Sequence, residues 1–203
     1  MDDVHTDARA GRGSPQPAHY LLIDFEATCA DDGSIARTHM EIIEIGAVLV
    51  EADTLSVVDE FQSFVRPVRH PRLTAFCTRL TSIRQAEVDA APLFADMLAA
   101  FKPWLYRYPD FLWGSWGDYD LHQLQQDCDF HRLPNPIGAP HRNIKQLFAQ
   151  AQGLSKKPGL GEAVRLAGLE FAGTHHRGID DARNIARLMP WALGRARLPS
   201  RRG

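Results

Sequence analysis

Asp24 and Glu26 stand two residues apart inside an otherwise apolar run, YLLIDFEAT. Strand side chains alternate faces, so the two carboxylates project together while Ile23 and Phe25 point the other way. Leaving two ionised acids unpaired on a buried strand costs about several kcal/mol each, so something positive must meet them. No basic residue lies close by in the run. Oxygen-only ligation suits Mg²⁺ or Mn²⁺, and the competing reading is a solvated or edge position. Further acids open helices. In GSWGDYDLHQL, Asp118 is explained as an N-cap, whereas Asp120 lies in the first turn, favoured by the helix dipole and able to reach a metal above the strand end. In HHRGIDDARNIARL, His175 and His176 occupy a Gly-containing loop, and Asp180 and Asp181 start the next helix, where either acid could serve only as a cap. A histidine five residues before an acid also occurs at His19/Asp24, His39/Glu44 and His122/Asp127, so spacing alone does not choose. The order along the chain does: a D-x-E strand, an Asp opening a mid-chain helix, then a His loop and an Asp opening the last helix. Three acids from separate segments plus a fourth can hold two divalent cations, and a loop histidine can deprotonate a water.

The elements that must carry these residues are legible. A strand from Tyr20 is followed by a second at Ile42 to Val50, a turn at Glu51 to Asp53, and a third within TLSVVDEFQSFVRP, ended by Pro67. Short connections make them an antiparallel meander. Helical spacing then begins after Thr81 and Ser82, with Gln85 placed to complete an S-x-x-Q capping box and Pro92 in the first turn of a helix through Leu93, Met97, Leu98 and Phe101. FLWGSW, residues 111–116, reads as a fourth strand. Helices follow at Asp118 to His131, at Asn143 to Gln152 stopped by Gly153, at LGEAVRLAG, and from near Gly178 to about Pro190. The result is an α/β domain: a mixed sheet, with a three-strand antiparallel meander plus parallel strands, flanked by helices.

Composition limits the class. A chain of 203 residues with 44% hydrophobic content closes one core, and no run approaches the ~18 to 20 apolar residues of a membrane helix. Residues 1–18 read as a disordered tail with neither a secretory nor a transit signal, 19–194 as the domain, and 195–203 as a basic tail containing Arg195, Arg197, Arg201 and Arg202. Cys29, Cys77 and Cys128 are odd in number and never form C-x-x-C, which points away from disulfides and cysteine zinc sites and toward a cytoplasmic protein. With 23 basic and 25 acidic residues no global basic field marks a nucleic-acid binder, although Arg66, Arg69, His70 and Arg72 cluster, as do Lys156 and Lys157.

Taken together, IDFEATC, EIIEIGAVLV, FC-x-x-LT and HRGIDDARNIARL resemble the DEDDh 3′-to-5′ exonucleases of RNase H-like fold, and especially the Eri-type branch, whose members trim histone mRNA and small RNAs. The resemblance covers about Tyr20 to Trp191. It implies metal carboxylates at Asp24, Glu26, Asp120 and Asp181, a general base at His176, and two Mg²⁺ ions for which Mn²⁺ can substitute. It further implies single-stranded 3′ ends, of RNA, as substrate, nucleoside 5′-monophosphates as product, and Thr28, Phe76 and Trp116 lining the terminal-nucleotide pocket, with core packing as the competing role of Phe76 and Trp116. Lys156 and Lys157 are candidates for touching phosphates. Glu44 is expected to be a structural hydrogen-bonding acid, Cys29 and Cys77 small buried hydrophobes, and the residues before Tyr20 to hold no accessory nucleic-acid-binding domain. Alternatives are a single-stranded DNA exonuclease or proofreader-like nuclease, a non-catalytic RNA-binding module on the same fold, and a scaffold for a partner. The intact signature residues speak against the module.

Overall fold

A computed structural model describes residues 16–199. Five strands form one sheet: β1 (His19–Ala27), β2 (Ile42–Glu51), β3 (Val57–Phe64), β4 (Phe111–Ser115) and β5 (His141–Asn143), in the order β3-β2-β1-β4-β5. The β1/β2 and β2/β3 pairs are antiparallel and the β1/β4 and β4/β5 pairs parallel. Seven helices accompany the sheet: α1 (Ala75–Thr81), α2 (Gln85–Asp89), α3 (Phe94–Leu105), α4 (Tyr119–His131), α5 (Ile144–Ala151), α6 (Leu160–Leu166) and α7 (Gly178–Ala192). This is the RNase H-like mixed sheet flanked by helices. No helix among the described residues is long and apolar enough to cross a membrane.

The period of two in β1 divides the core. Tyr20 and Leu22 pack with Val48 and Val50 against α5, α6 and α7, through Phe148, Val164, Ile185 and Met189. Leu21, Ile23 and Phe25 pack with Ile45, Ala47 and Leu49 against α3 and α4, through Phe94, Phe101 and Leu124. Continuing the first set, Asp24 and Glu26 lie on the face that α7 covers. There Gly46 of β2 meets the start of α7 so closely that a Cβ on Gly46 would stand 2.1 Å from the Gly178 carbonyl carbon. Only two glycine backbones allow this approach.

Several expected boundaries move. The third strand is shorter than TLSVVDEFQSFVRP, because Glu51 N–H closes onto Ser56 O and Leu55 turns at φ 60°. Helix begins earlier than Thr81: the Thr74 hydroxyl accepts from Cys77 N–H and caps α1, which ends with Ser82 at φ 61°. Ser82 therefore starts no capping box, and the Gln85 side chain instead accepts from Leu73 N–H. Pro92 lies just outside α3. Asp118 makes no side-chain cap; its carboxylate accepts from the Asn143 side chain at 2.9 Å. The reading of residues 1–18 as a tail falls almost wholly outside the described residues. Within the C-terminal stretch, Arg195 donates to Ala52 O and Asp53 O, and Arg197 to Ala151 O, so its described part is fastened to the domain rather than free.

Candidate active site

Parallel pairing of β1 with β4 stops at Leu22 and Gly114, which leaves the last residues of β1 without a neighbour on that side. Phe25 N–H is taken up by the Asp120 carboxylate at 2.9 Å. Asp120, in the first turn of α4, is thereby locked against β1 beside Asp24 and Glu26. From the opposite side α7 presents Asp181, 4% exposed. Asp24, Glu26 and Asp181 each bring a carboxylate oxygen within 4.8 Å of the others. All four acids line one cavity of about 460 Å³, together with Trp116, Tyr119, Leu160, His175 and His176.

Consecutive residues of a helix diverge by ~100°, so Asp180 and Asp181 cannot share a direction. Asp181 faces the cavity. Asp180 accepts from Thr174 N–H and pairs with Arg183 at 3.1 Å, closing the loop that carries the histidines. His176, at φ 64°, donates its backbone N–H to the Asp181 carboxylate. The His175 and His176 rings stack at 4.0 Å, and His175 Nε2 lies 3.8 Å from Asp181. Either ring can share a group with Asp181, since ligand atoms of all three lie within 4.8 Å of one another.

The electrostatics are those of a cation site. Burial pushes the Asp24 and Glu26 carboxyls well above the usual carboxylate range, and the surrounding acids push them further. Burial raises Asp120 to about 6 against the opposing hydrogen bonds from Phe25 and Ser115. Asp181 rises to about 7, through burial first, despite the His176 N–H. No Lys or Arg among the described residues forms an ion pair with any of the four. An all-oxygen donor set with surplus negative charge and no cationic side chain fits hard divalent metal ions. Burial also lowers both His175 and His176, the latter further through its neighbour's charge, so both rings are neutral near pH 7.

Glu44 holds the frame. Fully buried on β2, it accepts from Arg177 Nε at 3.1 Å, from Gly178 N–H at 3.1 Å and from the Gln62 amide, fixing the start of α7. Sequence reasoning identifies it as a hydrogen-bonding acid but not these partners, which lie up to 134 positions away. Of the three expected pocket residues, Trp116 lines the cavity, its indole N–H donating to Pro158 O. Thr28 does not: the register shifts between Glu26 and Ala27, alternation ends there, and the hydroxyl turns inward to accept from Glu41 N–H. Phe76 is half-buried on α1 outside the cavity lining, where Leu80, one turn on, forms the wall. Cys77 is fully buried, whereas Cys29 is only half-buried and borders the cavity. Arg37, Met40 and Tyr119 also line the wall, and no motif in the sequence points to them.

A family model described as Exonuclease (RNase_T) matches residues 21–189. The chain belongs to this exonuclease family. Among curated members it is 33% identical to human (Homo sapiens) ERI1 exoribonuclease 2 over 200 residues, covering 86% of this chain and 28% of that protein. It is 36% identical to ERI1 exoribonuclease 3 of Mus musculus over 186 residues, covering 86% and 54%. The exonuclease-family chain thus spans about a quarter to a half of the length of these relatives. A solved nuclease domain of 3′hExo, described as a DEDDh family member bound to rAMP, superposes with a TM-score of 0.79 at 29% identity, covering 91% of this chain and 96% of that one. A 3′-exonuclease described in 3′-end-specific recognition of a histone mRNA stem-loop gives 0.81 at 28% identity, covering 93% and 68%. The DEDDh resemblance is thereby shown.

Proposed function

We propose that this chain hydrolyses single-stranded RNA from its 3′-OH end and releases nucleoside 5′-monophosphates. The observation that carries the reading is the meeting of Asp24, Glu26 and Asp181 within 4.8 Å in a cavity that also holds Asp120 and two histidines. Asp24, Glu26, Asp120 and Asp181 would hold two Mg²⁺ ions, with Mn²⁺ able to substitute. When bound, such ions make a water more acidic and neutralise charge developing on phosphate oxygens. His176, neutral at working pH, accepts the proton that the attacking water loses. Asp181 orients this base through the backbone N–H of His176. Asp120 keeps β1 in place by holding Phe25 N–H, and so sets the positions of Asp24 and Glu26. Trp116 offers a flat ring to the terminal base, fixed by its bond to Pro158 O.

The test uses 5′-labelled RNA and DNA oligomers of equal sequence, incubated with Mg²⁺, Mn²⁺ or EDTA. A ladder shortened from the 3′ end, blocked by a 3′-phosphate and abolished by EDTA, is expected, with faster trimming of RNA. Asp24→Asn should lower the rate by at least about two decades without unfolding the chain. Internal fragments released from a circular RNA, or activity that survives excess EDTA, would exclude the mechanism.

A further inference from the structure

One wall of the cavity continues outward as a structured ledge. Along α4, Tyr119, Gln123, Gln126 and Phe130 lie at offsets of four, seven and eleven, which places them on one stripe of the helix. The stripe runs for ~16 Å at 1.5 Å per residue, from the cavity to the far end of the helix. The segment 37–40 is strapped along it: Gln123 and Gln126 donate to Met40 O at 3.0 and 2.8 Å, and Gln126 also to Arg37 O. At the cavity end, the Arg37 guanidinium stands 5.0 Å from the Tyr119 ring centre and forms no ion pair with a described residue. At the far end Arg69 lies over the Phe130 ring at 3.5 Å. Phe130 itself is 41% exposed.

Arg69 is held there on purpose-built supports. Glu41, 2% exposed, accepts the backbone N–H groups of Val68, Arg69 and His70 at 2.7 to 2.9 Å, which fixes the loop carrying Arg66, Arg69, His70 and Arg72. One guanidinium nitrogen donates to Thr38 O, while Nε and Nη2 are buried without any acceptor. The buried acids nearby are already engaged, Glu41 with that loop and Asp127 with Ile42 N–H and the Gln123 amide. The ledge therefore carries two arginines that form no ion pair among the described residues, each set against an aromatic ring, and its Arg37–Tyr119 end lines the cavity. Basic groups interleaved with aromatic faces are what a single-stranded nucleic acid requires, phosphates meeting the former and bases stacking on the latter.

We propose that this ledge seats the nucleotides 5′ to the terminal one, with Arg37 meeting a phosphate at the cavity mouth and Phe130, held flat by Arg69, stacking a base. The assignment rests on the nuclease reading above and extends it to a substrate-binding track. It is tested with the full chain on two readouts. Fluorescence anisotropy follows a 5′-fluorescein single-stranded RNA 12-mer in EDTA, where no cleavage intervenes, and steady-state kinetics with Mg²⁺ compare the 12-mer with a dinucleotide. Phe130→Ala and Arg37→Ala should each weaken 12-mer binding by at least about fivefold, the scale of one lost base stack, and Phe130→Tyr should restore it. Arg37→Ala should also reduce the slope of log affinity against log salt by ~0.7, whereas Phe130→Ala should leave the slope in place. In kinetics the loss should appear in KM for the 12-mer and be several-fold smaller for the dinucleotide. Equal binding by wild type and both variants, or equal losses on the two substrates, would overturn the ledge. If wild type binds the 12-mer but trims neither substrate, the proposed activity fails while the binding arm still decides the ledge.

Discussion

Replacing Asp181 by asparagine should destroy activity and yet raise the melting temperature of the metal-free protein. The carboxyl, 4% exposed, is shifted from 3.8 to about 7, by burial first and by Asp180, Asp120 and Glu44 after it. At 1.36 kcal/mol per unit this corresponds to ~4 kcal/mol of penalty on the ionised form. The sign follows from the direction of the shift. Below about pH 4 the acid is protonated whether folded or unfolded, and no penalty arises. From there to about pH 7 only the unfolded chain ionises freely, so wild-type stability falls as pH rises, and the deficit is complete above the folded value. Asparagine carries no charge and can still accept from His176 N–H through its amide oxygen. Halving the figure for relaxation and water entry leaves ~2 kcal/mol, or roughly 4 to 8 °C for a chain of this size. The assay is thermal unfolding in EDTA at pH 5 and pH 8. The variant should lead by the full margin at pH 8 and by much less at pH 5, and added Mg²⁺ should reverse the order by stabilising only the wild type. A variant that melts lower than wild type by the same amount at both pH values would refute the picture of a strained acidic cluster.

The histidines provide an internal control: His176→Ala is expected to cut kcat by roughly two decades or more, and His175→Ala and Asp180→Asn to stay within about tenfold, measured on one RNA substrate. Losing His175 while tolerating loss of His176 would transfer the base to the neighbouring ring. Because burial and His175 lower the pKa of His176, kcat plotted against pH should rise through a midpoint below 6.5 and level off, since only neutral imidazole accepts a proton. A limb centred above 7 would contradict that environment. Glu44→Ala, which leaves Arg177 without its partner and Gly178 N–H unsatisfied, should cost ~3 kcal/mol and lower the melting point by roughly 6 to 12 °C. A shift of under 2 °C would show that α7 is held elsewhere.

What was legible in the sequence follows from the range of the forces involved. Alternation along β1 and β2 sorts Leu21, Ile23 and Phe25 from Tyr20, Leu22, Asp24 and Glu26 without reference to the rest of the chain, so the central sheet and its two carboxylates could be read directly. β5 has only three residues, His141, Arg142 and Asn143, with no apolar period to announce it. The cap that starts α1 depends on Thr74, whose hydroxyl also donates to Cys29 O 45 positions away. Thr28 shows the limit of a local rule: counting by twos places it beside Asp24 and Glu26, but the register shift at Ala27 turns it inward. Arg37 and Tyr119 reach the cavity wall because the segment 37–40 is tied to α4 by glutamines more than 80 positions away, an arrangement that no periodicity encodes.

The contact between Gly46 and Gly178 gives the two halves of the site different mechanical character. Backbone against backbone leaves no side chain that could rotate to let α7 slip along β2, and a Cβ at Gly178 would come within 2.9 Å of the Asp24 carbonyl oxygen. Asp24, Glu26 and Asp181 are therefore mounted on a stiff joint. The histidine loop ahead of it is held through side chains, Asp180 accepting from Thr174 N–H at 2.9 Å and both Asp181 carboxylate oxygens from His176 N–H at 3.3 and 3.4 Å. The carboxylates thus share a frame set by main chain, whereas the position of the two histidine rings depends on the side chains of Asp180 and Asp181.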